Sequence, residues 1–204
     1  MSPKKFKLAV LVSGRGSNLQ AIIDSIEKNS LAAEISLIMS NVSDAYALQR
    51  GIKHGLESIF LDPKSFSSRD DYEKKMIELL QTKSIDLVCL AGFMRILGKK
   101  FIEAFSGKII NIHPSLLPAF PGLNVQEKAL QHGVRFSGCT VHFVNEEVDG
   151  GAIISQAVVP ILDADDTQSL SNRILEQEHI IYPEAIRLII ENRLEFSGRR
   201  VVRK

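Results

Sequence analysis

The chain has 204 residues, 45% apolar and 24% charged, with a formal net charge of +1. This is enough apolar mass for a packed core, and the balanced charge excludes disorder, a basic nucleic-acid footprint and electrostatic binding to a membrane surface. No apolar run reaches the ~20 residues that span a bilayer, and the length fits one domain, 1–204.

In chain order, Lys4, Lys5 and Lys7 precede only a short apolar stretch, Leu8 to Val12, too brief for a secretion leader. Lys7–Val12 reads as a strand buried on both faces. Asn18–Asn29 carries Leu19, Ile22, Ile23 and Ile26 at helical spacing. Glu34–Met39 is a second strand, Ala45–His54 a second helix and Ser58–Leu61 a third strand. Ser68–Lys83 is a helix with Tyr72, Met76, Leu79 and Leu80 inward and Ser67 or Ser68 as N-cap. Asp86–Ala91 and Lys108–Ile112 are strands flanking a short helix around Gly98–Phe105. Ser137–Val144 and Ala152–Ile161 are strands separated by only seven residues, Asn145–Gly151, so that pair is antiparallel. A long helix runs from Thr167 to about Asn192 with Pro183 as a kink or break, and Leu194–Arg203 forms a terminal hairpin. Cys89 and Cys139 lie in strand-like segments, as reduced core thiols of a cytoplasmic protein would.

Strands alternating with helices predict an open, doubly wound, Rossmann-like α/β domain whose sheet is mostly parallel but mixed. Ligands of such sheets gather beyond the carboxyl ends of the strands. Three loops occupy that position: Ser13–Asn18, Gly92–Leu97 and His113–Gly122.

Ser13-Gly14-Arg15-Gly16-Ser17-Asn18 joins the first strand to the first helix. Its glycines and the helix N-terminus make an anion site. Gly14-x-Gly16 matches two glycines of the dinucleotide fingerprint, but Leu19 replaces the third, and Ser40-Asn41 ends the second strand without a ribose-binding acid. A small phosphate ester fits better than a nucleotide cofactor.

Asn111 and His113 alternate with apolar residues in Ile109-Ile110-Asn111-Ile112-His113, so both point to one side at the end of a buried strand. Left unpartnered there, each would cost about 1–3 kcal/mol. Val148-Asp149-Gly150-Gly151 can bend sharply and carry Asp149 inward, although an Asp-Gly pair alone is most often a turn. A carboxylate near His113 would raise the imidazole pKa and hold the ring in place. An Asn, a His and an Asp without a Ser or Cys nucleophile suggest acyl transfer directly to a bound acceptor.

With Ala91-Gly92-Phe93-Met94-Arg95-Ile96-Leu97, Asn111 through Gly122, and Val141-His142-Phe143 followed by Val148-Asp149-Gly150-Gly151, the chain closely resembles the phosphoribosylglycinamide formyltransferase family, folate-dependent enzymes of purine synthesis. The resemblance covers roughly residues 7–195. It implies two small-molecule substrates, 10-formyltetrahydrofolate and 5'-phosphoribosylglycinamide, and no metal. Gly16, Ser17 and Asn18 would hold the ribonucleotide phosphate, with Gly92 near the same ligand and Glu178 at its ribose. Arg69, Met94, Arg95, Ile96 and Leu97 would receive the folate. Its pterin would lie in an apolar slot lined also by Leu90, Phe101, Ile102 and Val144, and the Asn145–Asp149 backbone would close on it. Asn111, His113 and Asp149 form the implied catalytic set: oxyanion stabiliser, general acid, and the carboxylate that raises the His113 pKa.

Two relatives share that set. Formyltetrahydrofolate deformylase, the hydrolytic alternative, adds an N-terminal regulatory domain, and methionyl-tRNA formyltransferase adds a basic C-terminal one. The chain length favours neither, and a monomer or a homodimer is expected. His54 and His132 read as solvated, and His142 and His179 as packing or site-adjacent. The five His and two Cys show no metal-ligand spacing. Arg199, Arg200, Arg203 and Lys204 read as a solvated tail, and Asp163, Asp165 and Asp166 as the capping loop of the long helix.

Overall fold

A computed structural model of the chain describes residues 5–204; Lys4 lies outside the described residues. Two compact units emerge, one ending at Ile110 and the other running Asn111–Lys204.

In the first unit, β1 (Phe6–Val12) is covered on both faces: Leu8 through Val12 are all at 0% exposure. Full enclosure is why this strand is a continuous apolar run rather than an alternating one. Then come α1 (Ser17–Glu27), β2 (Ala33–Ser40), α2 (Tyr46–Lys53), β3 (Ser58–Phe60), α3 (Arg69–Thr82), β4 (Leu87–Leu90) and α4 (Lys99–Ala104). β1 pairs in parallel with β2 and with β4, and β2 with β3. α3 starts at Ser68, whose Oγ accepts from the Asp71 N–H at 3.1 Å. Asp70 and Asp71 occupy its positive first turn, and Tyr72, Met76 and Leu80 form its buried stripe.

The boundary falls within β5 (Ile109–His113). The second unit continues with α5 (Val125–Gln131), β6 (Phe136–Phe143), β7 (Ile153–Pro160), α6 (Thr167–Ile190) and the hairpin β8 (Leu194–Ser197) and β9 (Arg200–Arg203). β6 and β7 are antiparallel, with Phe136 opposite Pro160. The main sheet therefore has seven strands in the order β3-β2-β1-β4-β5-β6-β7, mixed as expected. α6 packs on β6 and β7 through a buried stripe that includes Leu170, Ile174, Tyr182 and Ile186. Each such fully buried apolar side chain contributes about 1.5–3 kcal/mol.

The start of α6 is a reciprocal cap. Asp166 Oδ1 accepts from the Ser169 N–H at 2.7 Å, and Ser169 Oγ accepts from the Asp166 N–H at 3.0 Å. Asp165 accepts two bonds from the Arg173 guanidinium, at 2.7 and 2.8 Å, and that interaction holds its carboxyl well below the usual range.

α6 is the long helix expected from the sequence, and it continues through Pro183 rather than breaking there. The ring removes one backbone donor, and the apolar stripe on both sides of it keeps the helix together. α5 was not expected at all. It is seven residues long and has only two buried positions, Val125 and Ala129, too few to register as a period.

Candidate active site

At the end of β5, Asn111 and His113 share a face, as strand alternation requires, and His113 is 5% exposed. The loop between β6 and β7 bends back through Asp149, which takes the left-handed conformation (φ 53°), one that Asp tolerates better than most residues. The bend is tight: a Cβ on Gly151 would collide with the Phe143 carbonyl. Asp149 Oδ2 thereby lies 3.4 Å from His113 Nδ1 and accepts from the Gly122 N–H at 2.8 Å. The three residues picked out in sequence come together.

The hydrogen bonds fix more than proximity. His113 Nε2 faces the Phe120 carbonyl at 3.0 Å, so that nitrogen carries hydrogen. Its other nitrogen faces a carboxylate. The two ring nitrogens thus face a carbonyl oxygen on one side and a carboxylate oxygen on the other. Phe120 is itself left-handed (φ 51°), and the carbonyl before it, that of Ala119, accepts from Ser115 Oγ at 2.6 Å.

A fourth residue belongs to the group. His142, on β6 and 2% exposed, has Nδ1 2.8 Å from the Phe143 carbonyl, so Nδ1 is the protonated nitrogen. In the neutral ring Nε2 then carries the lone pair, and it faces Asn111 Nδ2 at 3.3 Å. That contact sets the Asn111 amide with its NH₂ toward the ring. Burial depresses the His142 pKa, and so keeps the ring in this accepting form; Asp149 Oδ1 at 3.7 Å opposes that only in part. The sequence signal for His142 was a polar residue inside an otherwise buried strand, but no spacing rule distinguishes packing from function there.

The remaining expected residues of the second unit are less central. Val144 is half-buried at the end of β6. Glu178 is buried on α6, and after burial itself its charge is the next cause pushing the β6 thiol of Cys139 up to about 12.

In the first unit, the turn after β1 is held from three sides. The Ser13 N–H donates to the Gly92 carbonyl at 3.0 Å, Ser13 Oγ donates to Asn41 Oδ1 at 2.6 Å, and the same Oγ accepts from the Met94 N–H at 2.8 Å. Gly92 is left-handed (φ 74°). Gly16 is the N-cap of α1 in the left-handed region (φ 69°), where a Cβ would lie 2.6 Å from Ala47 Cβ. No side chain caps α1, so Ser17 and Asn18 open a helix whose first N–H groups are the kind that bind an anion. Arg50 Nε donates to the Arg15 carbonyl at 2.9 Å and tethers the loop to α2. His54, read as solvated, is instead half-buried and bonded to Glu27 at 2.6 Å.

Arg69 Nη2 donates to the Ile96 carbonyl at 2.6 Å and its Nε to Glu73 at 2.8 Å. The Arg95 guanidinium lies over the Tyr72 ring, 5.1 Å from its centroid. Met94 and Ile96 are 67% and 65% exposed, while Leu90 and Leu97 are buried. Phe101, expected in the apolar slot, is at 0% exposure and packs on Phe105, so it is core.

The family model described as formyl transferase matches residues 6–186, through both units. A phosphoribosylglycinamide formyltransferase of Haemophilus influenzae is 46% identical, over 94% of this chain and 90% of that one. The trifunctional purine biosynthetic protein adenosine-3 of Drosophila melanogaster is 46% identical over 93% of this chain, which spans only 14% of its length. Among solved structures, glycinamide ribonucleotide transformylase 1 from Symbiobacterium toebii superposes with a TM-score of 0.96 at 48% identity, covering 98% of this chain and 94% of that one. The chain belongs to the formyl transferase family, among its phosphoribosylglycinamide formyltransferases.

Proposed function

We propose that the chain transfers the formyl group of 10-formyltetrahydrofolate to the amine of 5'-phosphoribosylglycinamide, a step of purine biosynthesis carried out in the cytoplasm. The observation that carries this reading is the group of Asn111, His113, His142 and Asp149, in which His142 orients the Asn111 amide and Asp149 lies against His113.

The folate supplies an activated formyl group on a nitrogen that must be protonated as it leaves. The exposed apolar side chains of Met94 and Ile96 in the first unit suit a flat pterin, with Arg69, Arg95 and the buried Leu90 and Leu97 in the same unit; for Val144 and the Asn145–Asp149 backbone, in the second unit, the folate role rests on the family resemblance. In the first unit, Gly16, Ser17 and Asn18 suit a phosphate, with the Gly92 carbonyl bonded to the Ser13 N–H of the same turn; for Glu178, on α6 of the second unit, the ribose role rests on the family resemblance.

The substrate amine is the nucleophile. One Asn111 N–H is held by His142, and the other is available to the formyl oxygen as negative charge develops there. Asp149 retains the proton on His113 Nδ1, so the mobile proton is the one on Nε2, held at the Phe120 carbonyl. His113 delivers it to the departing nitrogen as the bond from that nitrogen to the formyl carbon breaks, and the proton shed by the attacking amine restores it to His113. An absorbance assay for donor deformylation, run with and without the ribonucleotide, tests this. Turnover that requires the ribonucleotide supports transfer, and turnover indifferent to it makes the protein a hydrolase.

A further inference from the structure

Residues 92–98 form neither helix nor strand, so their backbone groups must find partners outside regular structure. Side chains supply them at every second residue: the Met94 N–H donates to Ser13 Oγ, the Ile96 carbonyl accepts from Arg69, and the Gly98 N–H donates to Glu73. The residue between the first two turns the other way, with Arg95 lying on the Tyr72 ring. The result is a segment fastened at three backbone groups, with the Met94 and Ile96 side chains exposed.

Glu73 is the keystone of that fastening. It is 5% exposed, an unusual place for a carboxylate on a helix. Both of its oxygens face the Gly98 N–H, at 2.9 and 3.0 Å, and Oε1 also pairs with Arg69 Nε at 2.8 Å. Gly98 has no room for a side chain, because a Cβ there would lie 2.5 Å from Glu73 Oε2. Burying a charge this way is costly unless the partners are fixed, and an apolar residue would fill the space equally well. What an apolar residue could not do is hold two points of the segment: Gly98 directly, and Ile96 through the orientation of Arg69.

We propose that Glu73 is the positioning residue of the formyl-donor site, setting the Met94–Gly98 backbone and the Arg69 guanidinium before any ligand arrives. This rests on the assignment of that segment to the folate. Arg69 Nε and Nη2 are then committed to the protein, and Nη1 is the nitrogen left to meet a ligand.

The test uses Glu73→Gln, Arg69→Gln and the double variant of the full chain. Glu73→Gln keeps an acceptor for Gly98 and loses the charge that fixes Arg69. Three readouts are taken: amide hydrogen exchange of residues 93–99, calorimetric affinity for tetrahydrofolate, and KM for each substrate with kcat. We expect faster exchange in Glu73→Gln, tetrahydrofolate affinity weaker and donor KM higher by about tenfold each, and ribonucleotide KM and kcat within about twofold. The double variant should be no worse than Arg69→Gln alone, since both substitutions break one unit. Unchanged exchange, loosening without loss of donor affinity, or an equal loss for both substrates would each overturn the proposal. If Glu73→Gln does not fold, Gly98→Ala displaces the same carboxylate and is judged by the same readouts. A wild-type chain that binds the ribonucleotide but no tetrahydrofolate would overturn the functional reading, and this inference with it. A wild-type chain that binds tetrahydrofolate normally while Glu73→Gln does too would overturn this inference alone.

Discussion

Replacing Asp149 by Asn removes one charge and almost no volume. His113 Nδ1 is 3.4 Å from the carboxylate, and the two side chains are 6% and 10% exposed. At that distance an ion pair is worth about 5 kcal/mol at an effective dielectric of ~20 and about 1 kcal/mol in bulk water. The amide can still accept from the Gly122 N–H, so the loop keeps one of its anchors. If the doubly protonated ring is the form that delivers the proton, that energy is lost from catalysis at about 1.4 kcal/mol per factor of ten. Steady-state kinetics near neutral pH should show kcat reduced by roughly one to three orders of magnitude, with ribonucleotide KM nearly unchanged. A kcat within about threefold of wild type, or a loss confined to ribonucleotide KM, would refute the reasoning.

Other substitutions probe separate links. His142→Leu should lower kcat about five- to tenfold, the value of one orienting hydrogen bond of about 1–1.5 kcal/mol to Asn111, with little effect on either KM; no change in kcat would remove His142 from the mechanism. Gly16→Ala forces a Cβ to 2.6 Å from Ala47 in a left-handed conformation. Strain and overpacking together cost about 2–4 kcal/mol, so calorimetry should find Tm lowered by roughly 4–16 °C, together with a raised ribonucleotide KM. Asp165→Asn tests the α6 cap region. The carboxyl of Asp165 is depressed in the fold, chiefly by its bonds from Arg173, so its stabilisation is fully present above its unfolded value near 4 and is lost as pH falls below it. The variant should melt lower than wild type at pH 7, and the gap should close on acidification below about pH 4; a gap independent of pH would contradict the charge argument.

Much of this site was legible because buried strands are restrictive. Asn111 and His113 stand out where β5 is otherwise apolar, and strand alternation alone puts them on one face. Asp149 was visible only as a turn, and its approach to His113 depends on a left-handed residue and a glycine whose missing side chain admits the Phe143 carbonyl. His142 was seen but not placed, because its role comes from which ring nitrogen meets a carbonyl, a fact of geometry rather than spacing. Phe120 contributes a carbonyl, and a main-chain acceptor has no residue type to betray it. Glu73 was hidden for a similar reason: on α3 it reads as one more surface acid, and only its burial against Gly98 sets it apart. The mostly parallel, mixed sheet followed from alternation, but its strand order did not; α5 was too short to leave a period, and α6 runs on through Pro183 where a break was one of the two readings.

The central claim is that the formyl group passes directly to the ribonucleotide amine. The most direct measurement supplies the donor with an isotopic carbon label in its formyl group and follows the label by mass spectrometry. The account predicts label in the ribonucleotide, and none released as formate when the ribonucleotide is withheld. Label appearing as formate at the same rate with or without the ribonucleotide would contradict it.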